Sequence, residues 1–262
     1  MLNAESRKRL RSLIPAGLIA TKTWLQENDL NPHFIDNAVK SGTLISLKPG
    51  VYMREPAPLL WKGVVTSLQR MQEHPVHVGG LTALELDGLA HYQSRGKLAS
   101  VQLYSAAPMP TWLNKLGINT HFDYHSTRKI WPESLMHEKK FLREEVWHDS
   151  LPALHYSGSE KAMLEVLNDV PKTISFEHAD QLMQGLSTLS PRKIDALLRA
   201  CSSIKAKRLF MWLAERHNHA WLKHLHPEAY DFGSGKRELA KAGRLDNKWN
   251  ITVPKEDAPR SG

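Results

Sequence analysis

The sequence predicts an α+β protein in two parts: a small N-terminal unit of short helices closed by a hairpin, then a larger mixed α/β unit. Three observations carry this. The chain has 262 residues, more than the roughly 100–200 of one ordinary domain. Helix caps, helix stops and a tight turn follow one another closely between Pro15 and Met53. Beyond Glu55-Pro-Ala-Pro58, which reads as a linker, apolar runs of strand length are mixed with longer stretches of helical spacing. The expected division is therefore 1–57 and 58–262.

Residues 3–13 set Leu10 and Leu13 among Arg7, Lys8, Arg9 and Arg11, a helix that Pro15-Ala-Gly17 must end. A short helix follows, capped by Thr21 or by Thr23, whose distance from Gln26 is that of a capping box. Trp24 and Leu25 are expected to face inward, and the helix runs out near Asn28-Asp29. Asn31 and Pro32 suit the N-cap and first position of a second helix, extending to about Lys40. Its apolar residues Phe34, Ile35, Ala38 and Val39 fall on one face, and His33, Asp36, Asn37 and Lys40 on the other. Gly42 suits the position after the helix end. Thr43–Leu47 reads as a strand, Lys48-Pro49-Gly50 as a type II turn, and Val51–Met53 as the returning strand. Two helices joined by a tight turn and followed by a β-hairpin form the pattern of a winged helix-turn-helix.

The larger unit opens with a helix near Leu59–Met71 and the segment Val76–Tyr92. Val101–Tyr104, His121–Tyr124 and Phe141–Val146 read as strands. Glu160–Leu167, Phe176–Leu186, Pro191–Ala200 and Ala206–Arg216 read as helices, Trp249–Val253 as a last strand, and Glu256–Gly262 as a loose tail. No internal repeat or low-complexity tract is present.

Composition narrows the setting. A single cysteine, Cys201, excludes an intramolecular disulfide framework and fits a reducing cytoplasm. The basic N-terminus has no apolar stretch after it, and nowhere does the chain approach the roughly 18 apolar residues of a membrane span. A cytoplasmic protein with no membrane partner is expected. The net charge of +8 is uneven: residues 1–54 carry +4, residues 190–262 carry +7, and the stretch between them −3. Two separate basic surfaces follow, and a basic N-terminal unit with these elements points to duplex DNA.

A helix in the major groove meets base edges with distinguishable donors and acceptors. His33, Asp36, Asn37 and Lys40 form the hydrogen-bonding face for that role, with Asn37 the best placed to pair with adenine through its amide. Lys22, Thr23, Lys48, Tyr52 and Arg54 are the expected contacts from the first helix and the wing, the cations meeting phosphates. The bland alternative is a small structural domain with a solvated polar face, or a protein-contact module. In the C-terminal basic stretch, Lys205, Lys207 and Arg208 lie within about one helical turn beside an apolar stripe, and on spacing alone a solvated face accounts for them. Phe232-Gly-Ser-Gly-Lys-Arg237 looks like half a phosphate loop. Tyr230 and Arg237 stand where a Walker A motif needs Gly and Ser or Thr. A structural turn and an anion-gripping backbone nest, with Ser234, Lys236 and Arg237 around it, stay open. His217, His219, His224 and His226 cluster near Trp221, but His217 and His224 are two helical turns apart, too far for one ion. Cys201 sits in an apolar stretch, where cysteine is usually inert. No catalytic residue, metal site or cofactor is expected.

Six blocks in order resemble the AbiEi-type antitoxins of bacterial type IV toxin–antitoxin systems. They are Ser41–Leu44 with Lys48–Tyr52; Val76–Gly88; Met109–Leu113; Gly158–Ala162; Cys201–Phe210; and Phe232–Arg237 through Ile251–Pro254. The resemblance implies an N-terminal domain that represses the protein's own operon at promoter inverted repeats. It implies a C-terminal domain that neutralises a nucleotidyltransferase-like toxin without a stable complex. It moves Lys205, Lys207, Arg208, Ser234, Lys236 and Arg237 into that antitoxicity domain. A monomer or weak dimer in solution, paired on DNA, is the expected state. The competing readings are a regulator whose C-terminal domain docks on a protein or RNA, and an enzyme that modifies the toxin.

Overall fold

The computed structural model describes residues 4–54, 56–72, 74–90 and 99–255. Glu55 of the expected linker, the end of the expected 76–92 segment and the tail at 256–262 lie outside the described residues. The chain forms two compact units. One is drawn from Met1–Val78, Ser94–Ser126 and Glu144–Tyr156, the other from Gly79–Gln93, Thr127–Arg143 and Ser157–Gly262.

The first unit begins with α1 (Ala4–Leu13), β1 (Ile19–Thr21), α2 (Lys22–Glu27), α3 (Pro32–Lys40), β2 (Ile45–Lys48) and β3 (Val51–Met53). This is the expected winged helix. Its three strands run β1-β3-β2, antiparallel throughout. Leu10, Leu25, Ile35, Ala38 and Leu44 fill the core beneath them. The hairpin turns at Gly50, whose φ of +74° is the value a type II turn requires there. β2 starts two residues later than the pattern suggests because Gly42 N and Leu44 N still close α3, bonding to Val39 O and Ala38 O. The cap of α2 is Thr21, whose Oγ1 accepts from Trp24 N at 3.2 Å. The last residue of β1 is thus also the first cap of α2, which leaves Thr23 outside the cap.

After the hairpin come α4 (Trp61–Met71), β4 (Val76–Val78), α5 (Gly80–Leu86), β5 (Ala99–Ser105), β6 (Thr120–Ser126), α6 (Glu133–Met136), β7 (Leu142–Glu145) and β8 (Leu154–Ser157). The chain ends with α7 (Ser159–Asp169), α8 (Phe176–Gly185), α9 (Pro191–Ala200), α10 (Ile204–Arg216), β9 (Arg237–Glu238), β10 (Arg244–Asp246) and β11 (Ile251–Val253). A five-stranded mixed sheet runs β6-β5-β4-β8-β7, and a small one runs β10-β11-β9. β8 was not expected from the sequence. Its four residues pair in parallel with β4 through Val78 and Tyr156, a long-range pairing that no local pattern announces.

The residue-57 boundary falls inside the first unit, because α4 packs directly on the winged helix. Ser67 Oγ accepts from Ile19 N at 2.9 Å, and Arg70 Nη1 donates to Leu13 O at 3.2 Å. A Cβ on Gly63 would stand 2.2 Å from the Gly17 carbonyl oxygen, so only glycine allows this approach.

The second unit is organised around α7, buried from Ser159 through Leu167. Glu165 is the polar centre: its Oε1 accepts from Lys161 Nζ at 2.6 Å, Trp131 Nε1 at 3.1 Å and Ser157 Oγ at 3.1 Å, while Oε2 accepts from Gly80 N at 3.1 Å. A buried carboxylate is tolerated only when its lone pairs are met in this way.

Candidate nucleic-acid interface

The helix α3 is set at its start by Asn31, whose Oδ1 accepts from His33 N at 2.8 Å, and by Pro32 in the first turn. Ile35 and Ala38 are fully buried, which turns His33, Asp36, Asn37 and Lys40 outward together. The amide of Asn37 makes no hydrogen bond among the described residues, so its donor and acceptor are both available to a base edge.

Lys22, at the start of α2, places Nζ 2.6 Å from Asp36 Oδ1 on α3. That hydrogen bond raises the Lys22 ammonium and lowers the Asp36 carboxyl from their ordinary values, each holding the other charged. The positive charge expected from Lys22 is therefore shared with an acid on the same face. Thr23 is exposed beside it, and Lys48 is half-buried on the wing.

Two nominated contacts sit differently from expectation. Tyr52 is only 7% exposed and belongs to the core, because β3 is the central strand of its sheet and is buried along its whole length. Arg54 is half-buried, with Nε donating to Ile14 O at 3.0 Å at the end of α1.

The C-terminal basic cluster divides in two. Lys205 Nζ donates to Asn168 O at 2.5 Å and Val170 O at 2.7 Å, and burial pushes its ammonium below the ordinary lysine value. Lys207 is 2% exposed. Arg208, 3% exposed, donates from Nε to Phe232 O at 2.8 Å, from Nη1 to Gly235 O at 2.7 Å and Asn250 O at 3.0 Å, and from Nη2 to Gly233 O at 2.9 Å. Burial, and secondarily the nearby Arg237, lower its pKa. These three do not form an exposed basic run: the apolar stripe of α10 carries them into the fold, where backbone carbonyls satisfy Lys205 and Arg208.

Ser234, Lys236 and Arg237 are exposed on the loop that Arg208 holds. Gly233 and Gly235 take φ of +61° and +78°, and Gly233 N donates to Asp231 Oδ1 at 2.7 Å. That amide is consumed within the loop, so the cations, more than a cradle of amides, are what this loop offers.

His217 bonds Asp180 at 2.8 Å and His219 bonds Met183 O at 2.7 Å. Among the described residues no three His, Cys, Asp or Glu side chains gather as metal ligands. Cys201 is buried, and desolvation pushes its thiol up to about 11. Sequence reasoning missed the Lys161–Glu165 centre, although its spacing of four residues on a helix was visible. It also missed a cleft of about 530 Å³ lined by Arg192, Asp195, Arg199, His224 and His226, which only the fold brings together. Among the described residues no helix is long and apolar enough to cross a membrane.

Comparison with known proteins gives two matches that meet near residues 94–99. Residues 3–94 match the N-terminal domain of the AbiEi antitoxin transcriptional regulators, and residues 99–254 match the family described as transcriptional regulator, AbiEi antitoxin, type IV toxin–antitoxin system. Among solved structures, the crystal structure of the RV2827C protein from Mycobacterium tuberculosis is similar at 15% identity and a TM-score of 0.49, covering 89% of this chain and 85% of that one. The curated proteins yield no match. The chain belongs to the AbiEi antitoxin family, transcriptional regulators of type IV toxin–antitoxin systems.

Proposed function

We propose that this protein is the cytoplasmic antitoxin of a type IV pair and represses its own operon. In this reading residues 1–57 bind promoter DNA at inverted repeats, and residues 58–262 neutralise a nucleotidyltransferase-like toxin without holding it in a stable complex. The observation that carries the DNA half is the outward face of α3, where Asn37 and Lys40 project from a helix fixed by its cap and buried face. His33 extends that face toward the helix N-terminus, and Lys22, Thr23, Lys48 and Arg54 flank it; Asp36 is paired with Lys22. One helix reads a short half-site, so a monomer or weak dimer gains specificity by pairing on two repeats. The neutralising half is assigned to the exposed Ser234–Arg237 loop braced by Arg208. No catalytic step is invoked.

Gel shift and footprinting with the DNA upstream of the gene test the first half. Asn37→Ala with Lys40→Ala is expected to weaken binding at least tenfold while growth rescue beside the toxin persists. Lys236→Ala with Arg237→Ala is expected to do the reverse. Loss of both functions in either folded variant would overturn the division of labour, and wild-type rescue by the second would remove the loop from it.

A further inference from the structure

The cleft of about 530 Å³ in the second unit is lined, among the described residues, by Pro191, Arg192, Asp195 and Arg199 of α9 and by His224 and His226. Arg199 is held there in one orientation. Its Nε donates to Asp195 Oδ2 at 2.9 Å and its Nη2 to Asp195 Oδ1 at 3.1 Å, a side-on pairing across one helical turn. Tyr230 fixes the acid in turn: its hydroxyl donates to Asp195 Oδ1 at 2.8 Å, and its ring lies 5.5 Å from the guanidinium carbon. Burial, and after it that hydrogen bond, push the Tyr230 phenol up to about 12, so the hydroxyl stays a donor. A long bond from Nη1 to Ala229 O at 3.5 Å is the third that Arg199 makes. A guanidinium carries five N–H groups, so two remain unspent on a side chain that is 48% exposed. Arg192 stands two turns before Arg199 on the same face of α9. Neither it nor the His224 imidazole makes a hydrogen bond or ion pair among the described residues. Glu228, beside the cleft, lies 3.4 Å from His226 Nδ1.

We infer that this cleft binds the phosphate of a nucleotide, carried either on a free nucleotide or on the 5′ end of an RNA strand. Arg199 is the anchor: a guanidinium paired side-on with a carboxylate keeps its terminal edge for a second, planar acceptor, and phosphate oxygens match that fork. Asp195 is a positioning residue, because it fixes the fork before the ligand arrives and so spares the entropy of ordering it. Arg192 supplies a second cation. The imidazoles of His224 and His226 can donate an N–H whether neutral or charged, and they offer flat faces on which a base stacks. The volume argues for more than a bare anion, since it falls in the range of about 300–1,000 Å³ typical of small-ligand clefts. The inference goes beyond the function proposed above. Neither α3 nor the Ser234–Arg237 loop takes part, so its failure leaves that reading untouched.

Titration calorimetry of the full-length protein tests it, with ATP, adenosine, inorganic phosphate, and a short RNA with and without a 5′-phosphate. ATP or the phosphorylated RNA is expected to bind, and whichever binds tighter identifies the source of the phosphate. Adenosine, inorganic phosphate and the unphosphorylated RNA are expected to bind roughly tenfold more weakly or worse. Arg192→Ala and Arg199→Ala are each expected to weaken the tighter ligand roughly tenfold. Lys223→Ala removes an exposed cation next to His224 but outside the lining, and is expected to change affinity by less than about twofold. Asp195→Asn separates a built site from a merely basic surface. It deletes a negative charge, so a basic surface would bind the anion tighter; the site described here loses its oriented fork and is expected to bind severalfold more weakly. Tighter binding by Asp195→Asn would overturn the inference. So would a wild type that binds neither ATP nor phosphorylated RNA, adenosine or inorganic phosphate binding as tightly as either, or a loss matched by Lys223→Ala. Unchanged affinity in Arg199→Ala with a wild-type melting temperature would do the same. If that variant melts early, Arg199→Lys, which keeps the charge and lacks the fork, takes its place under the same criterion.

Discussion

Lys161 Nζ lies 2.6 Å from Glu165 Oε1 with both side chains essentially sealed from water, 2% and 0% exposed. Burial depresses the lysine's pKa, and the carboxylate opposes that by charge and by hydrogen bond. The pair is one member of a set that also ties Trp131, Ser157 and the Gly80 amide to a single carboxylate. Removing one partner strands the other charge in a dry interior. Glu165→Ala is therefore expected to cost about 3–5 kcal/mol in urea denaturation, with Trp131 fluorescence reporting the loosened site. Lys161→Met combined with Glu165→Leu is expected to cost clearly less than Glu165→Ala. A double variant at least as damaged would show that the pair matters for more than mutual neutralisation.

Gly63 offers the opposite test, of space. In an open helix, alanine for glycine gains about 1 kcal/mol. Here the new methyl would meet the Gly17 carbonyl oxygen at 2.2 Å, backbone against helix. Gly63→Ala is expected to lower stability by at least 2 kcal/mol and to loosen the seat of β1 on α4, seen as faster amide exchange at Ile19. A stabilised protein would mean that α4 can move away freely.

On the proposed DNA reading, the ion pair with Asp36 withholds part of the Lys22 charge from phosphate. Asp36→Ala removes a negative charge and frees Lys22 for phosphate. Binding to unrelated duplexes is expected to tighten severalfold, with the salt slope steeper by about one, measured by anisotropy. Preference for the operator is expected to shrink. Weaker binding to all DNA would instead identify Asp36 as the group that orients Lys22 productively.

Cys201 supplies the pH prediction. Its thiol is pushed up to about 11 from an ordinary 9.0 by burial. Between those values the unfolded chain releases the proton and the folded chain keeps it. Stability from this group is thus complete below pH 9 and falls as pH rises toward 11, by about 2–3 kcal/mol at most. Urea melts at pH 8 and pH 10.5 measure it, and Cys201→Ala is expected to flatten that part of the difference. Iodoacetamide is expected to label the native protein at pH 8 far more slowly than the unfolded one.

The winged helix was legible because its signals are local. Asn31-Pro32, Gly42 and Lys48-Pro49-Gly50 each specify backbone geometry within four residues. The amphipathic pattern of α3 then fixes which face is free. What was not legible depends on distant partners. Nothing near Tyr52 tells that β3 is covered on the side it faces, and nothing near Arg208 tells that four carbonyls from residues 232–250 converge on it. A basic run written on one line of sequence looks like a surface. α10 becomes an interior helix only once β11 and the 232–237 loop have been laid against it. β8 was missed for the same reason, since its partner strand lies more than seventy residues earlier.

The way the first unit is gathered from separate stretches has a consequence in time. A ribosome that has reached Met53 has synthesised the hairpin and α3, but not α4, which covers Ile19 and Gly17. β8, which pairs with β4, arrives only with residues 154–157. The first unit is therefore finished after the midpoint of synthesis, although α3 is written near the start. A polypeptide broken before that point leaves the first unit without β8 and its pairing to β4.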